Sequence, residues 1–258
     1  MMEGHMSHDD MVSLNDSTGE NELKVPSILE RDDGVGIVYT VRAQIGKTEI
    51  FDGIETNTYG YNGTFLGPML RLDEGDTVNI RAINELDENT TFHWHGLEGV
   101  ADADGGPHDW IKPGEEKIIE FKVAQEAATL WFHPHPEGKT AEQVYNGLAG
   151  LIYMEDDNSK GLGLPNDYGK NDIPLIFQDK TFNGKKQLNY SAAMNDDGTI
   201  GDTLLINGTL NPKLTVNKEK VRLRLLNGSN ARNLPFKLNT WESFIQIEIG
   251  RGHGGGRV

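Results

Sequence analysis

Two short segments, Phe92-His93-Trp94-His95-Gly96 and Trp131-Phe132-His133-Pro134-His135-Pro136, carry four of the eight histidines of this chain as a pair of His-x-His units. In an extended strand alternate side chains leave the same face, so each unit directs two imidazoles one way, about 6.5–7 Å apart along the strand. Two such strands side by side make a nitrogen-lined patch. Imidazole suits copper, zinc, iron and nickel, and nitrogen ligands without a thiolate lean away from a closed structural zinc site. Histidines scattered over surface and core would account for one His-x-His. They account poorly for two, each beside a tryptophan and each inside β-type sequence.

The elements that must hold these units are strands. Ile37-Val38-Tyr39-Thr40-Val41-Arg42-Ala43 alternates and is β-branched, and Glu49-Ile50-Phe51 runs into the turn dipeptide Asp52-Gly53. Further strands are expected at 77–82, 91–97, 117–123, 129–133 and 150–155, the one at 117 introduced by Pro113-Gly114. Pro134, which has no N–H to donate, predicts that its strand lies at an edge or ends there. Short strands at this spacing indicate a Greek-key sandwich. A second set is expected at 173–178, 203–208, 213–216 and 221–227, with one more at 244–249. The predicted division is a mobile acidic tail over 1–30, a first domain over 31–157, a linker over 158–171 rich in glycine, and a second domain over 172–258. In the tail, Met1, Met2, His5, Met6, His8 and Met11 form a cluster whose thioethers suit Cu(I), or else are a plain start region.

His93-Trp94-His95-Gly96, then Asp104-Gly105-Gly106-Pro107, then Trp131-Phe132-His133-Pro134-His135 and Gly147-Leu148-Ala149-Gly150-Leu151 together resemble the amino-terminal half of a bacterial multicopper oxidase, the family of laccases and cuprous oxidases. The likeness runs from about Thr40 to about Gln246. It implies tandem cupredoxin-like β-sandwiches, all-β, with the second incomplete and serving as a spacer. It also implies copper: His93 as ligand of the type 2 copper, His95 and His133 sharing one copper of the type 3 pair, and His135 on the other. These are half the ligands of a three-copper cluster. In the family the other half and the blue-copper cysteine come from a later domain. This chain has no cysteine, so no blue, type 1, site can be built from it, and after His135 its one histidine is His253 in a glycine-rich segment unlike the family. It reads as a multicopper oxidase cut short.

Asp104 matches the family aspartate that orients the type 2 site and helps deliver protons, work suited to a carboxylate beside a ligating histidine. Asp-Gly-Gly-Pro is also ordinary turn chemistry, and for Asp102 the turn is the favoured reading. His108 is read as a surface histidine rather than an extra ligand, and Trp94 and Trp131 as outward β positions packing under the site. Glu137 completes the family pattern, and the Gly147–Gly150 run reads as close strand packing.

Composition narrows the partners. A formal charge of −16 argues against nucleic acid, since neutralising phosphates needs clustered Lys and Arg. No apolar stretch approaches the roughly 20 residues of a membrane span, and the start lacks the basic and apolar regions of a signal peptide. The chain is expected to be soluble, cytoplasmic or exported with processing. The function expected is a copper-dependent oxidoreductase that couples one-electron oxidation of phenols, amines or Cu(I) to reduction of dioxygen to water, its partners being dioxygen and a small reducing substrate. Self-association, or a carboxy-terminal cupredoxin domain, would complete it. The alternative is a copper-binding or scaffold cupredoxin protein without turnover. Completion of the cluster between subunits of a trimer is disfavoured, because such proteins carry the blue-copper motif themselves.

Overall fold

The computed structural model describes residues 19–32, 37–195, 198–217, 220–238 and 243–248. The Met/His cluster and His253 lie outside them.

Two four-stranded sheets face each other. In the first, Ile54–Tyr61, Ile37–Phe51, Thr77–Glu85 and Glu116–Lys122 lie side by side in that order. Ile37–Phe51 turns back into Ile54–Tyr61 through Asp52-Gly53, where Gly53 takes a φ of +69° that a side chain would resist. The second sheet runs Leu70–Asp73, Gly150–Glu155, Ala128–His133, His93–His95. Alternate residues of both sheets, among them Val41, Ile80, Leu72, Ile152, Phe132 and Trp94, fill the space between them. Each such large side chain contributes about 1.5–3 kcal/mol on leaving water.

A third sheet is built from Thr209–Leu210, Thr203–Ile206, Asp172–Lys180 and Arg222–Asn227. It packs on the outer face of the second sheet, where Leu66, Met69, Ala149, Leu151, Tyr153 and Ile176 form a separate apolar cluster. This explains Gly150–Glu155: its unbroken run Gly-Leu-Ile-Tyr-Met is buried on both faces, and so does not alternate. A buried ion pair ties the junction. Arg224 donates to both carboxylate oxygens of Asp172 (2.7 and 2.8 Å), lies 3.8 Å over the Tyr153 ring, and reaches Thr129 Oγ1 across the junction (2.9 Å). On the far face of the third sheet Leu223 and Leu225 stay exposed.

Several elements differ from expectation. Thr140–Asn146 is a helix, capped at Gly147 by a backbone N–H that reaches the Gln143 and Val144 carbonyls. Seven residues are too few for a helical repeat to register as periodicity. Gly147 is thus a cap, whereas Gly150 does allow close strand packing, since a Cβ there would sit 2.2 Å from the Phe132 ring. Residues 243–248 form no strand, and of 213–216 only Lys213 is in one, Pro212–Lys213, which pairs with Asn21–Glu22. Residues 21–29 are accordingly laced across the fold by Asn21–Glu22 and by the Ser27 and Leu29 backbone bonds to Met69. Within 158–171, Asp157–Gly161 is a helical turn with a capping box on Asp156. Among the described residues no helix is long and apolar enough to cross a membrane.

Candidate metal centre

The site lies at the edge of the second sheet, on its outer face. His93–His95 pairs antiparallel with the end of Ala128–His133 in the register His93↔His133, Trp94↔Phe132, His95↔Trp131. That register places His93 opposite His133 and His95 opposite Trp131, all four side chains on one face, while Trp94 and Phe132 point into the sandwich. Ring centroids are 5.1 Å apart for His93 and His133, 5.7 Å for His93 and His95, and 5.4 Å for His95 and His133. One ligating nitrogen from each of these three lies within 4.8 Å of the others. His135, past the end of the strand, joins them with its ring 5.2 Å from that of His93.

Each imidazole is oriented by a different partner. His133 Nδ1 lies 2.8 Å from the Pro134 carbonyl, so it carries the hydrogen and leaves Nε2 lone-paired toward the patch. Burial pushes His133 down to about 3, and its three histidine neighbours push the same way. The ring is therefore neutral, as ligation requires. His93 Nδ1 lies 2.9 Å from the Asp104 carbonyl and 3.2 Å from Asp104 Oδ1, which leaves its Nε2 for the patch. The loop that brings Asp104 there depends on Gly105. With φ at +67°, its Cβ would stand 1.9 Å from Phe92 O, so no side chain fits. Trp94 Nε1 donates to Ala103 O (3.1 Å) and holds the same loop from the core side.

The donor set fits a metal ion. His95 Nδ1 and His133 Nε2 face each other at 3.1 Å. With metal–nitrogen bonds of about 2.0–2.1 Å, two ligands on one ion stand roughly 2.9–3.4 Å apart. His135 Nδ1 is buried without a hydrogen-bond partner, an atom whose lone pair or hydrogen goes unused in the protein alone.

The other expected residues divide. Asp102 is exposed. His108 is exposed too, 3.7 Å from Glu137 Oε2 with its ring against Trp110, and it makes no ring contact with the four histidines. Trp94 packs beneath the site against Phe121 and Phe132, but it does so from the inward face of its strand, in the sandwich core, and not from the outward face expected of it. Trp131 does face outward, but beside the histidines and not under them: its ring stands 4.0 Å from that of His133 and 5.3 Å from that of His95, so it walls the patch and also touches the junction cluster. Two positions escaped the sequence reading, Thr91 and Gln143, both fully buried beside the site. Their spacing carries no motif of its own.

Comparison with known proteins agrees with this geometry. Residues 42–159 match the family model described as multicopper oxidase. The multicopper oxidase Mco of Staphylococcus haemolyticus is 57% identical over 93% of this chain, which covers 54% of that protein. The chain belongs to the multicopper oxidase family. A laccase from Pediococcus acidilactici superposes with a TM-score of 0.79 at 48% identity, over 83% of this chain and 47% of the laccase. The cell division protein FtsP of Escherichia coli is 38% identical over 85% of this chain, which covers 46% of FtsP. The chain thus spans about half the length of the curated relatives it matches. Its cupredoxin-like β-sandwich fold follows from the family and from the sheets described above.

Proposed function

We propose that this chain supplies the first half of the trinuclear copper site of a laccase-like oxidase, one that couples one-electron oxidation of a phenol, an amine or Cu(I) to reduction of dioxygen to water. The observation that supports this reading best is the convergence of four imidazoles, one of them neutral by burial and one with an unpaired buried nitrogen, on one sheet face. In this reading His93 holds the type 2 copper, His95 and His133 share one copper of the type 3 pair, and His135 serves the other. Copper bound there supplies one-electron redox chemistry. The protein's own residues set the conditions for it. The Pro134 carbonyl fixes the His133 tautomer, and Asp104 fixes that of His93. The Asp104 side chain is 43% exposed, so its carboxylate can carry a proton between solvent and the patch. Trp131 keeps water off one flank. The remaining ligands, and the thiolate of a blue copper, come from a further cupredoxin domain, since a second copy of this chain has no cysteine to offer. The domain division that goes with this reading is 31–157 for the copper-bearing unit, 158–171 for the connection and 172–258 for the spacer.

The test is Cu(II) titration by calorimetry and paramagnetic resonance, wild type against the double variant His95→Ala/His133→Ala. Micromolar binding that the double variant abolishes supports the proposal. Unchanged stoichiometry would move the metal to the acidic surface and end it.

A scaffold role without turnover is the second reading, and the FtsP relatives, named for cell division, are what favours it. Oxygen uptake with a phenol and Cu(II), after adding a domain that carries the missing ligands, separates the two: the scaffold predicts none.

A further inference from the structure

The strand ladder sets three of the four histidines and leaves the fourth. Pairing between His93–His95 and Ala128–His133 ends at His93↔His133, and Pro134 has no N–H with which to extend it. His135 is therefore placed by something other than the sheet. Its backbone N–H donates to Thr91 Oγ1 at 2.8 Å, a bond that joins the second His-x-His unit to the residue two before His93. Farther along, Thr140 N and Thr140 Oγ1 both donate to the Pro136 carbonyl (3.1 and 3.0 Å), which fixes the helix Thr140–Asn146 to the residue after His135. From that helix Gln143 reaches back. Its Oε1 accepts from Thr90 Oγ1 and its Nε2 donates to the Asn89 carbonyl, each at 2.8 Å. Thr90, Thr91 and Gln143 are all 0% exposed. A buried carboxamide with both ends satisfied holds one geometry, because leaving either end unpaired inside the protein is costly.

We infer that Thr91 and Gln143 are positioning residues, a two-point brace that sets His135 against His93 and so fixes the spacing between the copper held by His135 and the rest of the patch. Thr91 acts directly on the His135 backbone. Gln143 acts one step away, by holding the 89–91 segment against the helix that follows Pro136. The inference rests on the copper reading above. Neither residue touches the metal, and both work through the position of His135.

Thr91→Val keeps the shape of the side chain and removes the acceptor, whereas Thr91→Ser keeps the acceptor. Thr58→Val is the control: Thr58 is just as buried, and its hydroxyl bonds to Thr64 O and Thr48 in a different part of the fold. Cu(II) alone is titrated into each full-length variant, with affinity from calorimetry and hyperfine parameters from paramagnetic resonance. The weakest copper equivalent should lose roughly ten- to a hundred-fold in affinity in Thr91→Val, as removal of outer hydrogen-bond partners usually brings. Its resonance should change too, while the equivalent on His95 and His133 persists. Thr91→Ser and Thr58→Val should match wild type. If Thr91→Val does not fold, Gln143→Leu carries the same expectation. Wild-type binding and spectrum in Thr91→Val, or equal weakening in Thr58→Val, overturns the brace and leaves the copper reading standing. A wild-type chain that binds no copper overturns both.

Discussion

Replacing Lys180 by methionine should stabilise this protein, and by an amount that depends on pH in a calculable way. The Lys180 amine is fully buried, donates to Tyr145 O at 2.5 Å, and lies 4.4 Å over the Tyr145 ring and 5.8 Å from that of Phe65. Burial pushes it down from 10.5 to about 7, against the opposing pull of Asp179. A folded value below the unfolded one means that the unfolded chain binds the proton more tightly, so stability is fullest above 10.5 and is lost as pH falls toward 7. The fall from 10.5 to about 7 corresponds to about 5 kcal/mol in all, of which about 2 kcal/mol falls between pH 9 and pH 7. Methionine has no proton to bind, and the loss of one neutral hydrogen bond, about 1 kcal/mol, is independent of pH. Denaturant unfolding of wild type and Lys180→Met should therefore diverge by about 2 kcal/mol as pH is lowered from 9 to 7, and run parallel below pH 6. Other titrating groups cancel in the difference. A gap that does not vary with pH would show that the amine is hydrated in solution, and the reasoning from burial would fail.

Three further outcomes follow from particular contacts. Arg224→Met strands the Asp172 carboxylate, whose side chain is 1% exposed, and should cost about 3–5 kcal/mol by denaturant unfolding, most of it recovered in Arg224→Met/Asp172→Leu. Gly105→Ala forces a Cβ to 1.9 Å from Phe92 O and should cost about 2 kcal/mol or more, whereas Gly53→Ala, with open space at a similar φ, should cost about 1 kcal/mol; equal losses would remove the Asp104 loop argument. Asp104→Asn keeps the backbone carbonyl contact to His93, so copper should still bind, and any oxidase activity of the completed enzyme should fall with a changed pH profile; an unchanged profile would end the proton-transfer role.

The histidine patch was legible in the chain because its imidazoles come in strand-spaced pairs. His93, His95 and His133 needed only alternation plus neighbouring strands, and both are written locally. What was not written locally is the register. A slip of one residue would have turned His133 into the core and Phe132 outward, which the apolar alternation of Leu130 and Phe132 opposes, but a slip of two keeps every face, and nothing in the sequence alone selects His93↔His133 over it. The same gap explains Trp131. Its neighbours in sequence suggest a packing residue, while the register makes it the partner of His95. The helix Thr140–Asn146 was missed because its evidence is tertiary: Gln143, Val144 and Tyr145 are buried by Asn89–Thr91 on one side and Gln178 and Lys180 on the other. Conversely, Phe244-Ile245-Gln246-Ile247 has the composition of a strand and forms none, with Ile245 87% exposed. β-propensity reports fit to a pleated, half-buried surface, and this segment has no such surface beside it.

The strand Ala128–His133 shows why the third sheet matters to the site without contributing a ligand. Its inward residues, Leu130 and Phe132, belong to the sandwich core. Its outward residues run in order from the junction to the metal patch: Thr129 receives Arg224 and donates to Glu248, Trp131 touches the junction cluster, and His133 turns to the other imidazoles. His133 is only 5% exposed although it lies on an outer face at the sheet's last strand pair. That burial, with Trp131 4.0 Å away, is what holds the ring neutral. Removing the third sheet would uncover Leu151, Tyr153 and the flank of Trp131, and with them the dry wall that keeps His133 neutral. The packing of the second unit and the chemistry of the first are thus linked through one indole.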